Sequence, residues 1–267
     1  DPDAATPRYG AVLGVLAAHE AGRAALEALM THDDHVEAVA PILERVYRAE
    51  REAPGLIRVY ERRLAIPDRD PAARRADWEA LADVRESIAN QPTQAFVVWG
   101  RALADTPDDA ELLVPLQRLA ESQNLWRELA ALLDERFTET ADPLPPDVEQ
   151  AYAMRLGQIA EDRLADPERA ARAFDRASYG PEPRPALAAL ERVLARANKW
   201  SELATCLRRQ AEAVEEDAQA AEYRFREGDL QETTLSDPAA AVAAYREVLQ
   251  LVPTHAQARA SLNIRFN

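Results

Sequence analysis

Apolar residues along the chain recur three and four positions apart, in short stripes broken at regular places. Leu81, Val84 and Ile88 form one stripe and Ala95, Val98, Trp99 and Ala102 the next, with Asn90, Gln91 and Pro92 between them. A spacing of three and four places every member of a stripe on one face of an α-helix, so the segment predicts two amphipathic helices joined by a short turn. Proline on the first turn of the second helix removes only an N–H that has no partner there. The same start recurs at Asp166-Pro167-Glu168 and at Ser236-Asp237-Pro238, where the aspartate can cap and the proline can take the first helical position.

The pattern repeats. Leu43 to Ala65, Leu116 to Thr138 and Leu190 to Glu212 are alike, and their first leucines lie 73 and 74 residues apart. Leu56, Leu129 and Leu203 keep that step. A second family alternates with the first. In it Ala95, Ala170 and Ala241, separated by 75 and 71 residues, are each followed four residues later by an aromatic: Trp99, Phe174 and Tyr245. The period is therefore a pair of unlike helical hairpins, each about 36 residues long. Counted this way, seven hairpins run from about Pro7 to Val252, and one more helix covers His255 to Phe266. A stripe on both helices of every hairpin has to be covered by the neighbouring hairpins, which predicts one stacked solenoid domain over residues 1–267.

Composition agrees. Alanine supplies 55 of 267 residues and glycine only 8, a helical bias. The formal charge of −15, from 32 basic and 47 acidic residues, argues against nucleic-acid partners and polybasic membrane binding. No apolar run approaches the roughly 20 residues that span a bilayer, so direct membrane insertion is not expected. Cys206 is the only cysteine, so no internal disulfide can form, and Lys199 is the only lysine. The compartment stays open between cytoplasm and periplasm.

These residues resemble the tetratricopeptide repeat, whose first helix carries Trp, Leu-Gly and an aromatic and whose second carries Ala, an aromatic, a small residue and a closing Pro. Trp78, Leu81 and Ala82 with Ala95, Trp99, Ala102 and Pro107 follow that pattern, as do Leu156 and Gly157 with Ala170, Phe174 and Ala177. Gly228, Ala241, Tyr245 and Pro253 follow it less fully, because Glu227 and Val248 stand at the leucine and small-residue positions. The match around Tyr9, Gly10, Gly22, Leu26 and Leu29 is faint. The intervening hairpins, with Trp126 and Leu129 or Trp200 and Leu203, look like degenerate members. The units also have a bacterial look in their Ala, Arg and Leu content. The resemblance implies an all-α, right-handed superhelix whose first helices line a concave groove. Carried over residue by residue, the groove candidates are Glu79, Asp83 and Glu86, then Met154, Gln158, Glu161 and Asp162, then Phe225, Asp229 and Glu232. The degenerate hairpins add Arg45 and Arg48, Arg118 and Glu121, and Arg192 and Arg196. Acidic and basic first helices thus alternate. Two expectations follow: neighbouring first helices neutralise one another in a ladder of ion pairs, or the mixed-charge groove takes a peptide, basic on balance, anchored at Met154 and Phe225. The lysine-containing clamp by which some such repeats grip a carboxylate terminus has no counterpart, since Lys199 lies outside the first-helix positions.

Other chemistry is sparse. His32-Asp33-Asp34-His35 has the residue types of a zinc site and equally those of a polar loop capping the helix that starts near Val36; the loop is the expectation, with no metal and no cofactor. His19 and His255 read as ordinary surface residues near helix ends. Cys206, between Leu203 and Leu207, reads as a buried and inert thiol. Glycine-rich phosphate loops, paired-histidine zinc motifs and Gly-x-Ser-x-Gly are absent, so no enzyme is expected within these residues. The proline-rich stretches Thr140 to Pro146 and Ser178 to Pro185 predict bends in the array. Leu262, Ile264 and Phe266 begin a hairpin that does not close, suggesting a piece of a longer array whose end helix packs on another molecule or on a second copy. The expected role is a non-catalytic scaffold holding a peptide or protein. The alternatives are an assembly module of an envelope or motility complex, contacting partners by its ends and convex face, and the helical region of an enzyme whose catalytic domain lies elsewhere.

Overall fold

The computed structural model describes residues 20–138 and 143–266, with side chains up to 263; Tyr9, Gly10, His19, Ile264 and Phe266 fall outside the described backbone or side chains. The described residues are helical throughout, with no strand among them. They divide into two compact units, Asp1–Leu125 and Trp126–Asn267.

The first unit contains α1 (Glu20–Leu29), α2 (Asp33–Glu50), α3 (Ala53–Leu64), α4 (Pro71–Asp83), α5 (Pro92–Asp105) and α6 (Leu113–Gln123). A wider turn, Val84–Ile88, extends α4, and a 3-10 turn, Ala110–Leu112, leads into α6. The second unit contains α7 (Trp126–Glu135), α8 (Pro146–Asp162), α9 (Pro167–Ala177), α10 (Pro183–Arg196), α11 (Trp200–Glu212), α12 (Asp217–Thr233), α13 (Pro238–Leu251) and α14 (Ala256–Phe266). Within each unit every helix packs on the next in sequence. The pairs α2/α3 and α4/α5 in the first unit, and α8/α9, α10/α11 and α12/α13 in the second, are the hairpins the periodicity predicts. The stretch Leu116 to Thr138 supplies α6 to one unit and α7 to the other.

Helix starts follow the expected chemistry. The carboxylates of Asp70, Asp166 and Asp237 accept the amide hydrogens of Ala73, Arg169 and Ala240, each at 2.9 Å, with proline next in sequence. Helix ends carry a device that composition does not advertise. Asn90, Ala165 and Ser236 all have positive φ, between 51° and 56°, at the same place in three hairpin turns; Arg51, Asn124 and Asn198 do so in the other family, and no glycine has positive φ among the described residues. At each of the first three turns one amide reaches back five residues and a later one six. In α8 these are Leu164 N–H to Ile159 O at 3.1 Å and Asp166 N–H to Ala160 O at 2.9 Å. This is the left-handed helix stop that satisfies the last carbonyls.

Close approach between the two helices of a hairpin needs glycine at three places, one of them Gly55 of α3, where a Cβ would lie 2.7 Å from the Tyr47 ring of α2. A Cβ on Gly157 would lie 2.5 Å from Cε1 of Phe174, and one on Gly228 would lie 2.7 Å from Cε1 of Tyr245. All three rings are buried. Ala82 stands at the equivalent position in α4, and there Trp99 is half-buried with its Nε1 lacking a partner.

Candidate functional site

The first helices of successive hairpins are tied by arginine–carboxylate pairs. In the first unit Glu86, on the turn that extends α4, accepts two hydrogen bonds from Arg118 of α6, at 2.5 and 2.7 Å. In the second, Glu161 of α8 accepts from Arg192 Nε and Nη2 at 3.0 and 2.6 Å and from Arg196 Nη1 at 2.8 Å, and Arg226 of α12 donates to Glu191 of α10. Glu86 and Glu161 stand at the same place in the repeat, five residues after Leu81 and Leu156. The arginine hydrogen bonds hold both carboxyls below the usual glutamate range. Glu232 holds that place in α12 and accepts instead from the Tyr245 hydroxyl at 2.9 Å. Burial, followed by that bond to Glu232, pushes the Tyr245 phenol up to about 12.

The other first-helix candidates divide into exposed and packed groups. Asp83, Gln158 and Asp229 are exposed, and each directly follows the small residue of its helix: Ala82, Gly157 or Gly228. Asp83 accepts from Ser87 Oγ at 2.8 Å, Glu79 is held by Arg75 Nε at 2.9 Å, and Asp162 is exposed beside Glu161. Met154 and Phe225 are half-buried against the hydrophobic core. Phe225 packs on Tyr245, with ring centroids 5.6 Å apart.

Two carboxylates lie deeper. Glu227, which departs from the leucine of the repeat pattern, is 2% exposed. Arg208 of α11 reaches it through Nε at 3.0 Å and Nη2 at 2.6 Å, and Arg224 of α12 through Nη1 at 2.5 Å. In the first unit Asp77, four residues before Leu81 and so at a different place in the repeat, is likewise buried and is held by Arg69 Nε at 2.7 Å and by Arg63 Nη1 at 3.2 Å. Burial pushes the Asp77 carboxyl up, against the pull of Arg63 and Arg69. Sequence reasoning misses both sites, because a charge at an apolar position gives no sign of the distant arginines that receive it.

On the second-helix side each unit has a cleft. One, of about 350 Å³, lies among α1, α2 and α3 over Leu43, Tyr47 and Val59, with Arg62 at its rim. The other, of about 470 Å³, lies among α9, α10 and α11 over Leu190, Leu194 and Cys206, with Arg209 at its rim. Leu43 and Leu190, Val59 and Cys206, and Arg62 and Arg209 are each 147 residues apart, so the two clefts share one register. Each arginine ties its helix to the end of the preceding second helix. Arg62 donates to the carbonyls of Met30 and Thr31, at 2.7 and 3.0 Å, and Arg209 to Asp175 Oδ1 at 2.6 Å. In the second cleft the Cys206 thiol is 1% exposed and donates to Leu187 O at 3.4 Å, and burial pushes its pKa up to about 11. It is a poor nucleophile there.

The histidines differ from one another. α2 begins at Asp33 with no side-chain cap, Asp33 pairs with Arg62, and the His32 and His35 rings meet edge to face at 6.3 Å. Among the described residues no group of three or more His, Cys, Asp or Glu side chains is arranged to hold a metal ion, and no helix is long and apolar enough to cross a membrane. His255 departs from the surface role expected of it. Its ring packs on Phe225, with centroids 5.1 Å apart, and its Nδ1 accepts the Ala258 amide hydrogen at 3.2 Å.

No protein-family model matches the chain, and no curated protein matches it. Among solved structures the chain is similar to YrrB, described as a TPR protein with an unusual peptide-binding site, at 14% identity and a TM-score of 0.35, covering 70% of this chain and 91% of that one. It is also similar to the C-terminal part of a TPR repeat-containing protein from Cytophaga hutchinsonii, at 14% identity and a TM-score of 0.37, covering 96% and 98% of the two chains. The architecture described above rests on the helix pairs, turns and packing of this chain itself.

Proposed function

We propose that the chain is a non-catalytic helical-repeat scaffold, that residues 1–267 belong to one array, and that a peptide or protein segment lies along its first helices. The observation that carries this reading is the repeated exposed position at Asp83, Gln158 and Asp229, one in each of α4, α8 and α12 and three residues before Glu86, Glu161 and Glu232, which are held by arginine or tyrosine. Within each unit, first helices tied by ion pairs and carrying exposed hydrogen-bonding groups suit an extended partner better than a compact ligand. With Glu86 and Glu161 neutralised by arginine, the acidic balance of this face falls to Asp83, Asp162 and Asp229, and these favour a basic partner. The test is affinity capture from cell extract with the chain and with the triple variant Asp83→Lys/Asp162→Lys/Asp229→Lys. The variant is expected to lose the basic partners that the parent retains and to do so most clearly at low salt. A partner set unchanged in the variant removes this reading.

A second reading is favoured by the matched clefts on the second-helix side. A module that assembles through that face would use the apolar floors at Leu43 and Leu190, and its contacts would survive the triple variant while failing in Leu190→Arg.

A further inference from the structure

We propose that His255 is a pH-sensitive clasp that fastens α14 to α12 and α13 at neutral pH and releases it on acidification. The capped helix starts at Asp70, Asp166 and Asp237 use a carboxylate to accept the amide of the third helical residue. α14 uses an imidazole for the same task, since Ala258 N–H points at His255 Nδ1 at 3.2 Å, while the His255 carbonyl accepts Arg259 N–H at 3.2 Å.

An imidazole nitrogen accepts only when it carries no proton, so this cap requires the neutral ring with its hydrogen on Nε2. Protonation sets an N–H at Nδ1 against the N–H of Ala258 and adds a positive charge at the positive end of the helix dipole. A carboxylate cap stays ionised over the range in which histidine changes charge. Protonation of the ring therefore disables this cap and leaves the aspartate caps working.

The clasp sits where α14 enters the core. Ala258, three residues on, is fully buried with Tyr245, Val248 and Ala241, and Leu262 and Phe225 pack on the same cluster. The face of the imidazole is taken by Phe225, which carries no charge. Along α12, Arg224 and Arg226 flank Phe225 and are committed to Glu227 and Glu247 and to Glu191, while Glu222 and Asp229, three before and four after Phe225, are exposed. On α13, Glu247 is committed to Arg224 and Arg246 is engaged; on α14 the nearest charged residue is Arg259. The imidazole itself meets the uncharged Phe225 ring and the Ala258 amide. Release of α14 would uncover the Tyr245–Val248 face, an apolar surface that another helix could cover.

Hydrogen exchange of the whole chain at pH 7.5 and 5.0, corrected for intrinsic exchange rates, tests the clasp. Amides of 256–263 are expected to lose roughly five- to tenfold protection at the lower pH, the worth of a cap plus a dipole contact, while α8 to α11 stay unchanged. His255→Asn keeps an acceptor that does not titrate and is expected to protect α14 equally at both pH values. His255→Ala is expected to lose the protection at both. Protection of 256–263 that differs less than twofold between the two pH values in the parent chain overturns the proposal, as does a pH-dependent loss of the same size in His255→Asn.

Discussion

The hairpins α8/α9 and α12/α13 are built on one plan and differ most in the charge of one buried position. Both start their second helix with Asp-Pro, both turn on a left-handed residue (Ala165 or Ser236), and both press an aromatic onto a glycine. At the residue before that glycine one hairpin has Leu156 and the other Glu227, and both are buried. The leucine needs only apolar neighbours. Glu227 is tolerated because the preceding hairpin supplies Arg208 and its own helix supplies Arg224. An apolar repeat position can stack on any similar neighbour, whereas a buried carboxylate demands the one neighbour that carries the matching guanidinium. The comparison teaches that this charge encodes the order of hairpins, at some cost in stability.

The largest expected effect tests what the two hairpins share. Phe174→Ala removes a fully buried ring from α8/α9 and is expected to cost about 3 to 5 kcal/mol by denaturant unfolding. A cost below about 1 kcal/mol would mean that the ring does not join the two helices. The next tests what separates the hairpins. Glu227→Ala takes the buried carboxylate away from Arg208 and leaves Arg224, whose side chain is only 13% exposed, with Glu247 alone, and is expected to cost about 1 to 3 kcal/mol by denaturant unfolding. Glu227→Leu combined with Arg208→Met and Arg224→Met makes α12/α13 resemble α8/α9 and is expected to restore or exceed the parent stability. If the triple variant is as unstable as the single one, the position is not interchangeable between hairpins. Third, Gly157→Ala forces a Cβ against Phe174 and is expected to cost about 1 to 3 kcal/mol. The reverse change in α4, Ala82→Gly, creates no such clash and should cost no more than the helix propensity of glycine, about 1 kcal/mol.

Much of the fold was legible because its signals are local. The stripes of three and four and the Asp-Pro starts follow from side chains close in sequence, whereas the seating of Phe174 on Gly157 within one hairpin had to come from the packing. The ion-pair ladder was legible for the same reason: Glu86 with Arg118 and Glu161 with Arg192 lie one hairpin apart, so alternation of charge between first helices foretold them. Glu227 was not legible, because its rescue by Arg208 depends on how α11 and α12 face each other, and a charge at a leucine position reads only as a weaker match. Of the left-handed stops, those at Arg51, Ala165 and Ser236 were hidden because they lack the glycine or asparagine signature that Asn90, Asn124 and Asn198 carry. His255 was hidden because a histidine two residues past a proline looks like any surface loop, and only the packing of Phe225 against the ring fixes Nδ1 toward Ala258.

The smallest effect concerns the ladder, and it separates a structural tie from a binding surface. Glu161 and Glu86 are held below the usual glutamate value of 4.5. The tie therefore contributes above that value and is lost as pH falls below it, when the carboxyls take up protons. The partner arginines are half-exposed, and solvent screening limits each rung to at most about 1 kcal/mol. Arg192→Gln is expected to lower stability at pH 7 by a few tenths to about 1 kcal/mol and to flatten the pH dependence between 5 and 3, because Glu161 then loses its strongest partner. If Arg192→Gln shifts neither stability nor its pH dependence, the rung is a surface contact without energetic weight, and Glu161 joins Asp83, Asp162 and Asp229 as a charge free to meet a partner.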